Sequence, residues 1–200
     1  MSARAGEVAQ GAQAAPPTAE RLLDAAERRV RVGGYNGFSF RDLAADVGIR
    51  SASVHHHFPT KEALVARLAE RYADRFVAAL PAGATGAALV EAYRDAFRAG
   101  LEADPLVEPA ADGRRPRQMC LCGILGAEVA VLPPSVARAA RRFFERTADH
   151  LARGIEGAVA DPRAGALAVL ARLEGAMILS RALDDPRVYD AATEGLLPAT

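Results

Sequence analysis

The sequence predicts an all-α protein, and three observations carry that prediction. Half of its 200 residues are apolar but only 6% are aromatic, and Ala is abundant; Ala is the best helix former, and the β-branched residues that favour sheets are sparse. Apolar residues recur at helical spacing, without the strict alternation of a half-buried strand. The pairs Asp104-Pro105, Pro133-Pro134, Asp161-Pro162 and Asp185-Pro186 cut the chain into helix-sized lengths, because the residue before a proline is pushed out of the α region. The expected architecture is an N-terminal three-helix domain over 18–60, joined by a connecting helix to a C-terminal helical bundle within 61–200.

Each element has a local reason. Residues 1–17 are rich in Ala, Gly and Gln and end in Pro16-Pro17, the composition of a disordered tail. Thr18 is placed to cap a helix reaching Val32, with Glu20 in the first turn, Leu22, Ala26 and Val30 on one face, and Gly33-Gly34 as the stop. In the run Ser39-Phe40-Arg41-Asp42 the hydroxyl can accept from the Asp42 amide while the carboxylate answers, a capping box that starts a short helix ended by Gly48. A second short helix is expected over 51–57, after which Pro59 and Thr60 introduce a long helix from Lys61 to about Leu80. Beyond Pro81, helices are predicted near 84–103, 116–131, 134–159, 163–183 and 187–196.

Composition narrows the function. The formal net charge is zero, so an anionic partner would have to be met by a local basic surface. Cys120 and Cys122 are the only cysteines, which excludes a disulfide framework. Two apart on a helix, they would point ~200° away from each other and could not pair. The first residues lack the apolar core of a secretory signal, and the longest apolar run, MCLCGILGA, is far short of the ~18 residues that span a bilayer. A soluble cytoplasmic protein with no membrane partner is expected. No ligand set is spaced for a metal, no nucleophile has an evident base, and no phosphate-binding Gly loop is present, so no catalytic residue, metal or cofactor is expected. His55, His56 and His57 are consecutive, so on a helix they project ~100° apart and cannot chelate one ion.

The stretch DLAADVGIRSASVHHHFPTKEAL, residues 42–64, reads as two short helices about a Gly-containing turn. That is a helix-turn-helix, whose second helix can lie in a DNA major groove. Leu43, Ala44, Val47, Val54 and Phe58 are expected inside, with His57 beside Phe58 as a core or capping residue. Arg50, Ser51, Ser53, His55 and His56 are left pointing outward. Small residues at 51–53 let the helix N-terminus approach a groove, where its free amides favour phosphate. Arg4 in the tail could reach a minor groove as a basic arm does.

From GYNGFSFRDLAADVGI through RSASVHHHFPTKEALV the chain resembles the TetR family of bacterial transcriptional repressors. The spacing of Gly34 to Phe38, the helix 40–47, Gly48, His57-Phe58 and Lys61-Glu62 with Leu64 carries the resemblance. It implies a homodimer with two such motifs, a divergent C-terminal ligand domain, and release of a palindromic double-stranded operator when a small-molecule effector binds. By position it implies a DNA-contact set of Ser39, Arg41, Arg50, Ser51, Ala52, Ser53, His55, His56 and Lys61. Arg41 would contact phosphate or a base edge, residues 50–53 and His55 would face the groove, and His56 and Lys61 would hold the backbone. Lys61 is the only lysine of the chain. Members commonly carry Tyr where this chain has His55, and a histidine contact can vary with pH.

In the second domain, RQMCLCGILGAEVAVLPPSV is apolar on every face apart from Glu128, the pattern of a helix buried all round. Cys120, Gly123 and Ala127 form a stripe of small residues that would let a helix or a ligand approach. Tyr93, Phe97, Leu101, Met119, Phe143, Phe144 and Met177 are expected, with Cys120 and Gly123, to line an apolar small-molecule pocket. Arg172, Glu174 and Arg181 interrupt the otherwise apolar ALAVLARLEGAMILSRAL. The resemblance implies a four-helix dimer interface from the last two long helices, 134–159 and 163–183. An alternative is a thiol-based sensor of oxidants or electrophiles through Cys120 or Cys122, activated by Arg114, Arg115 and Arg117 folding over Cys120. The plainer reading makes both thiols small core residues, and a more distant one makes the chain a thiol- or metal-dependent helical enzyme.

Overall fold

The computed structural model describes residues 16–196, apart from 103, 108, 110 and 112. Of the tail expected over 1–17, residues 1–15, with Arg4, lie outside the described residues. The chain runs through α1 (Thr18–Gly33), α2 (Phe40–Val47), α3 (Ser51–His57), α4 (Lys61–Ala79), α5 (Gly86–Ala99), α6 (Leu121–Ala127), α7 (Pro134–Gly154), α8 (Pro162–Ala182) and α9 (Pro186–Ala192). Among the described residues no strand pairs into a sheet, and no helix is long and apolar enough to cross a membrane.

The N-terminal unit is built by its caps. Ser39 accepts from the Asp42 amide while the Asp42 carboxylate accepts from the Ser39 amide at 2.7 Å, the capping box that starts α2. Gly48 ends α2 in the left-handed conformation, at φ 72°, that an L side chain adopts only with strain. Thr60 accepts from the Ala63 amide and starts α4. Thr18 does not cap α1: Pro17 holds that position, and the first free amides, of Glu20 and Arg21, bond its carbonyl instead. Leu22, Leu23, Ala26 and Val30 of α1 close over Leu43, Ala44, Val47, Val54 and Phe58, all buried as their spacing requires.

α4 leaves this unit and enters the bundle, where it lies along α7. It is tied to α1 by Arg71, only 6% exposed, which meets Glu20 and Asp24 at 2.8 Å and Glu27 at 3.2 Å. The bundle core is an aromatic cluster in which Phe76 packs on Tyr93, Phe97 and Phe143, with ring centres 5.4–5.6 Å apart. α7 is packed between α4 and α8, and α9 folds back on α8.

The predicted helix over 116–131 is much shorter than expected. Residues before α6 are extended because Met119 bonds across to α1: its amide donates to the Arg31 carbonyl, and its carbonyl accepts from the Arg31 guanidinium at 2.8 Å. A separate 3-10 turn follows at Val129–Val131, where both valines are exposed, so this segment is not buried all round. The helix predicted to reach 159 ends at Gly154, and the one predicted from 84 begins at Gly86.

Candidate nucleic-acid interface and effector cavity

α2 and α3 pack against each other. The inward side of α3 is filled by Val54, with Phe58 one turn on. Arg50, Ser51, Ala52, His55 and His56 are exposed, and Ser53 is half-buried. Arg41 is exposed on α2 beside them. Six of the residues expected to contact DNA are thus open to solvent, and Ser53 is partly so. His55 is steadied from behind: its ring meets Phe40 edge-on at 4.8 Å, and Nδ1 lies 3.4 Å from the Pro59 carbonyl.

Three residues sit differently from expectation. His57 is exposed, its ring against His56, because Val54 and Phe58 already occupy the inner side. Lys61 is half-buried and its ammonium is engaged within the chain, donating to the Phe38 carbonyl at 2.6 Å and lying over the rings of Tyr35 and Phe38. It holds the loop that enters α2. Burial lowers its affinity for the proton, with Asp42 and Glu128 opposing. Ser39, besides capping α2, donates its hydroxyl to Asp42 at 2.7 Å. That bond and the backbone amide hold the Asp42 carboxyl below its usual range.

Between α6, α7 and α8 lies an apolar cavity of about 920 Å³. Of the residues expected to line a pocket, Met119, Gly123 and Phe144 do so. Tyr93, Phe97, Leu101, Cys120, Phe143 and Met177 do not: they are buried, with Tyr93, Phe97 and Phe143 consumed by the aromatic cluster around Phe76. Spacing alone missed Ile124, Ala140, Leu170 and Ile178, which complete the walls. The available signal was on α8, where Leu167, Leu170, Glu174, Ile178 and Arg181 recur every three or four residues. Gly126 sits where a Cβ would crowd the Phe144 ring at 3.1 Å, so a small residue there sets the spacing of α6 against α7.

Glu174 is the anomaly of this cavity. Both carboxylate oxygens are sealed from water without a hydrogen-bond partner, tucked against Gly123. The Cys120 thiol is close enough to influence the carboxyl, yet burial dominates and pushes it up to about 7.

A family model for bacterial regulatory proteins of the tetR family matches residues 22–68. A TetR-family transcriptional regulator from Agrobacterium tumefaciens has a solved structure that superposes with a TM-score of 0.75 at 30% identity, covering 90% of this chain and 95% of that one. This chain belongs to the TetR family. A TetR regulator from Legionella pneumophila is similar at 26% identity, with a TM-score of 0.76 over 92% of this chain and 97% of its own. A third, from Chloroflexus aurantiacus, shares the fold at 24% identity and a TM-score of 0.71, over 90% and 91%. No curated protein sequence matches significantly. The chain is accordingly a DNA-binding transcriptional regulator, with the helix-turn-helix on α2 and α3.

In this TetR-family chain the thiols are not set up to react. Cys120 is 2% exposed and Cys122 fully buried. Cys120 sits at the N-cap of α6, where its sulfur accepts from the Gly123 amide at 3.3 Å. Burial, then the Glu174 carboxylate, pushes the Cys120 thiol well above its ordinary range, and Cys122 follows for the same reasons. The three upstream arginines do not fold over it: Arg114 and Arg117 meet Asp184, and Arg115 donates to the Val107 carbonyl. The activation that a thiol sensor would need is absent, and both cysteines sit as small buried residues, as the plainer reading has them.

The residues around the cavity are bonded to the DNA-binding unit at the end of α1. Arg31 is joined to Met119 and to the Gly100 carbonyl. Arg181 donates to the Val32 carbonyl at 2.5 Å. Glu128, just past α6, accepts from the Tyr35 amide at 2.8 Å and lies over Gly34. Residues 31–35 lead directly into the Ser39 cap of α2.

Proposed function

We propose that this TetR-family regulator is a homodimeric repressor, released from a palindromic operator when a small molecule enters the cavity between α6 and α8. The observation that carries this reading is the outer face of α2 and α3, where Arg41 and Arg50 are exposed without an ion pair among the described residues. Two free cations beside small residues at the start of α3 fit a phosphate-flanked groove. Ser51, Ala52, Ser53 and His55 are placed to read bases, with Arg41 and His56 on the backbone; Lys61 contributes by holding the loop rather than by an open ammonium.

A dimer is needed to span two half-sites. Apolar surface available for it lies at the end of α8 and just past it, where Leu179 and Leu183 are half exposed or more; Leu167 and Ile178, similarly exposed, stand at the mouth of the cavity. The side of α7 toward α4 is charged, with Arg142 and Arg146 paired to Glu70 and Asp74 of α4. The seam would be centred on α8, with α7 beside it. Release requires the two recognition helices to leave the ~34–36 Å separation of successive major grooves, or a multiple of it. A ligand that favours the displaced state by a few kcal/mol suffices.

Selection of bound duplexes from a random pool tests the reading, with wild type beside a variant carrying Arg41→Ala, Arg50→Ala and His55→Ala. An enriched palindrome that the variant loses is the expected result. No enrichment at low salt, from protein whose native mass spectrum shows no bound small molecule, refutes it.

A further inference from the structure

One cation of the cavity has no counter-ion among the described residues. Arg181 lines the wall from the end of α8 and is half-buried, yet no carboxylate among the described residues pairs with it. Its one hydrogen bond is to the carbonyl of Val32, in the last turn of α1. A guanidinium carries five donors, so most of its capacity is unused. Burial alone lowers its proton affinity, with no acidic neighbour offsetting that cost. Arg141, the other cation on the rim, is exposed and already paired with Glu145. Glu174 stands seven residues before Arg181 on the same helix, ~10 Å away, with its oxygens turned to Gly123 rather than the opening.

We propose that the effector is an amphipathic monoanion, a carboxylate on an apolar body, whose head pairs with Arg181 while the body lies along Ile124, Phe144, Leu170 and Ile178. The proposal rests on reading the C-terminal domain as the effector domain. The chemistry follows from the lining: about 920 Å³ of apolar space rewards burial of a chain or ring, and one unpaired guanidinium offers a bidentate fork suited to one carboxylate. A dianion would leave a second charge buried and unpaired, and an amine would meet Arg181 as a like charge. The same guanidinium supplies the signal. Drawing it onto the ligand competes with the Val32 carbonyl, which loosens the cavity wall from the turn that leads into α2.

The test uses the full-length protein, its selected operator, and three probes of equal chain length: dodecanoate, dodecanol and dodecylamine. Calorimetric titration is expected to show dodecanoate binding once per chain, at least tenfold tighter than the alcohol, with the amine no tighter than the alcohol. Arg181→Gln should cost dodecanoate tenfold or more and leave dodecanol unchanged, and Arg181→Lys should restore part of the difference, which also controls for misfolding. Ile178→Trp, which fills the cavity, should abolish both. Equal binding of acid and alcohol, tighter binding of the amine, or an Arg181→Gln effect equal for all probes overturns the proposal. So does an Ile178→Trp chain that turns monomeric in sedimentation while no probe binds wild type, since a second copy of the chain would then be the occupant. Dodecanoate that binds as expected without releasing operator leaves the ligand class standing and refutes release by ligand. Release by the amine alone does the reverse.

Discussion

Removing Arg71 should expose how firmly the DNA-binding unit is fixed to the rest of the molecule. Its guanidinium is the main polar link between α1 and α4, meeting three carboxylates within 3.2 Å while only 6% exposed. Breaking a buried pair by deleting one partner costs roughly 3–5 kcal/mol, because the other charge is stranded. Here the stranded acids can partly rehydrate: the side chains of Glu20 and Asp24 are about 40% exposed, and only Glu27, at 21%, stays well covered. Discounting for that solvent access, Arg71→Ala should cost about 2–3 kcal/mol. For a chain of this length that is a fall in Tm of about 5–10 °C. Arg75 meets the same acids from a side chain 56% exposed, so Arg75→Ala should cost less than about 1 kcal/mol. Thermal and urea unfolding of both variants at low and high salt would measure this. An Arg71→Ala protein within about 0.5 kcal/mol of wild type, or equal losses from the two variants, would refute the account.

Four further outcomes follow from local geometry. Ser39→Ala removes the hydroxyl of the α2 capping box and should cost about 1 kcal/mol in urea unfolding; because Ser39 holds the Asp42 carboxyl below its usual range, the stability from that bond is present at neutral pH, is lost as pH falls through the depressed value, and should be flatter with pH in the variant. Glu174 titrates the other way: raised to about 7 in the native state, it makes the folded chain bind the extra proton, so stability should fall by about 3 kcal/mol as pH rises from its unfolded value of ~4.3 through neutrality. Glu174→Gln should remove that slope in melts run across pH 4–8, and an unchanged slope would count against the sealed carboxylate. At Gly34, φ is 72° and a Cβ would strike the Glu128 carboxylate; Gly34→Ala should cost about 2 kcal/mol, and combining it with Glu128→Ala should be clearly less than additive in a double-mutant cycle. Arg50→Ala should weaken operator binding by about tenfold and reduce the slope of log affinity against log salt by ~1 if the side chain holds a phosphate.

The DNA-binding half was legible in the sequence because its signals are short-ranged. Ser39 and Asp42 find each other across one turn, Gly48 supplies its own backbone conformation, and Thr60 caps the helix beginning at the next residue. The spacing of Leu43, Val47, Val54 and Phe58 then leaves only one way to bury them. The misplaced side chains are those whose partners are distant. Lys61 has a position suited to a phosphate contact, yet its ammonium is bound by a carbonyl 23 residues earlier. The cavity was legible only in outline: Tyr93, Phe97 and Phe143 have the size and polarity of pocket residues, but Phe76 gathers them into the core, and the walls fall to Ile124, Leu170 and Ile178 instead.

By itself the sequence determined the helical class, the order and most boundaries of the helices, and the outward face of the helix-turn-helix, because caps, turns and periodicity act within one or two turns of chain. Tertiary packing decided the length of α6, the raised thiols and the unpaired Arg181. Met119 left its helix to bond Arg31, 88 residues away. Cys120 was set beside Glu174 rather than beside its neighbouring arginines. Arg181 was carried to α1 with no acid among the described residues to meet it. Each of these depends on which groups share a low-dielectric space once the helices have packed, and that is a property of the assembled core.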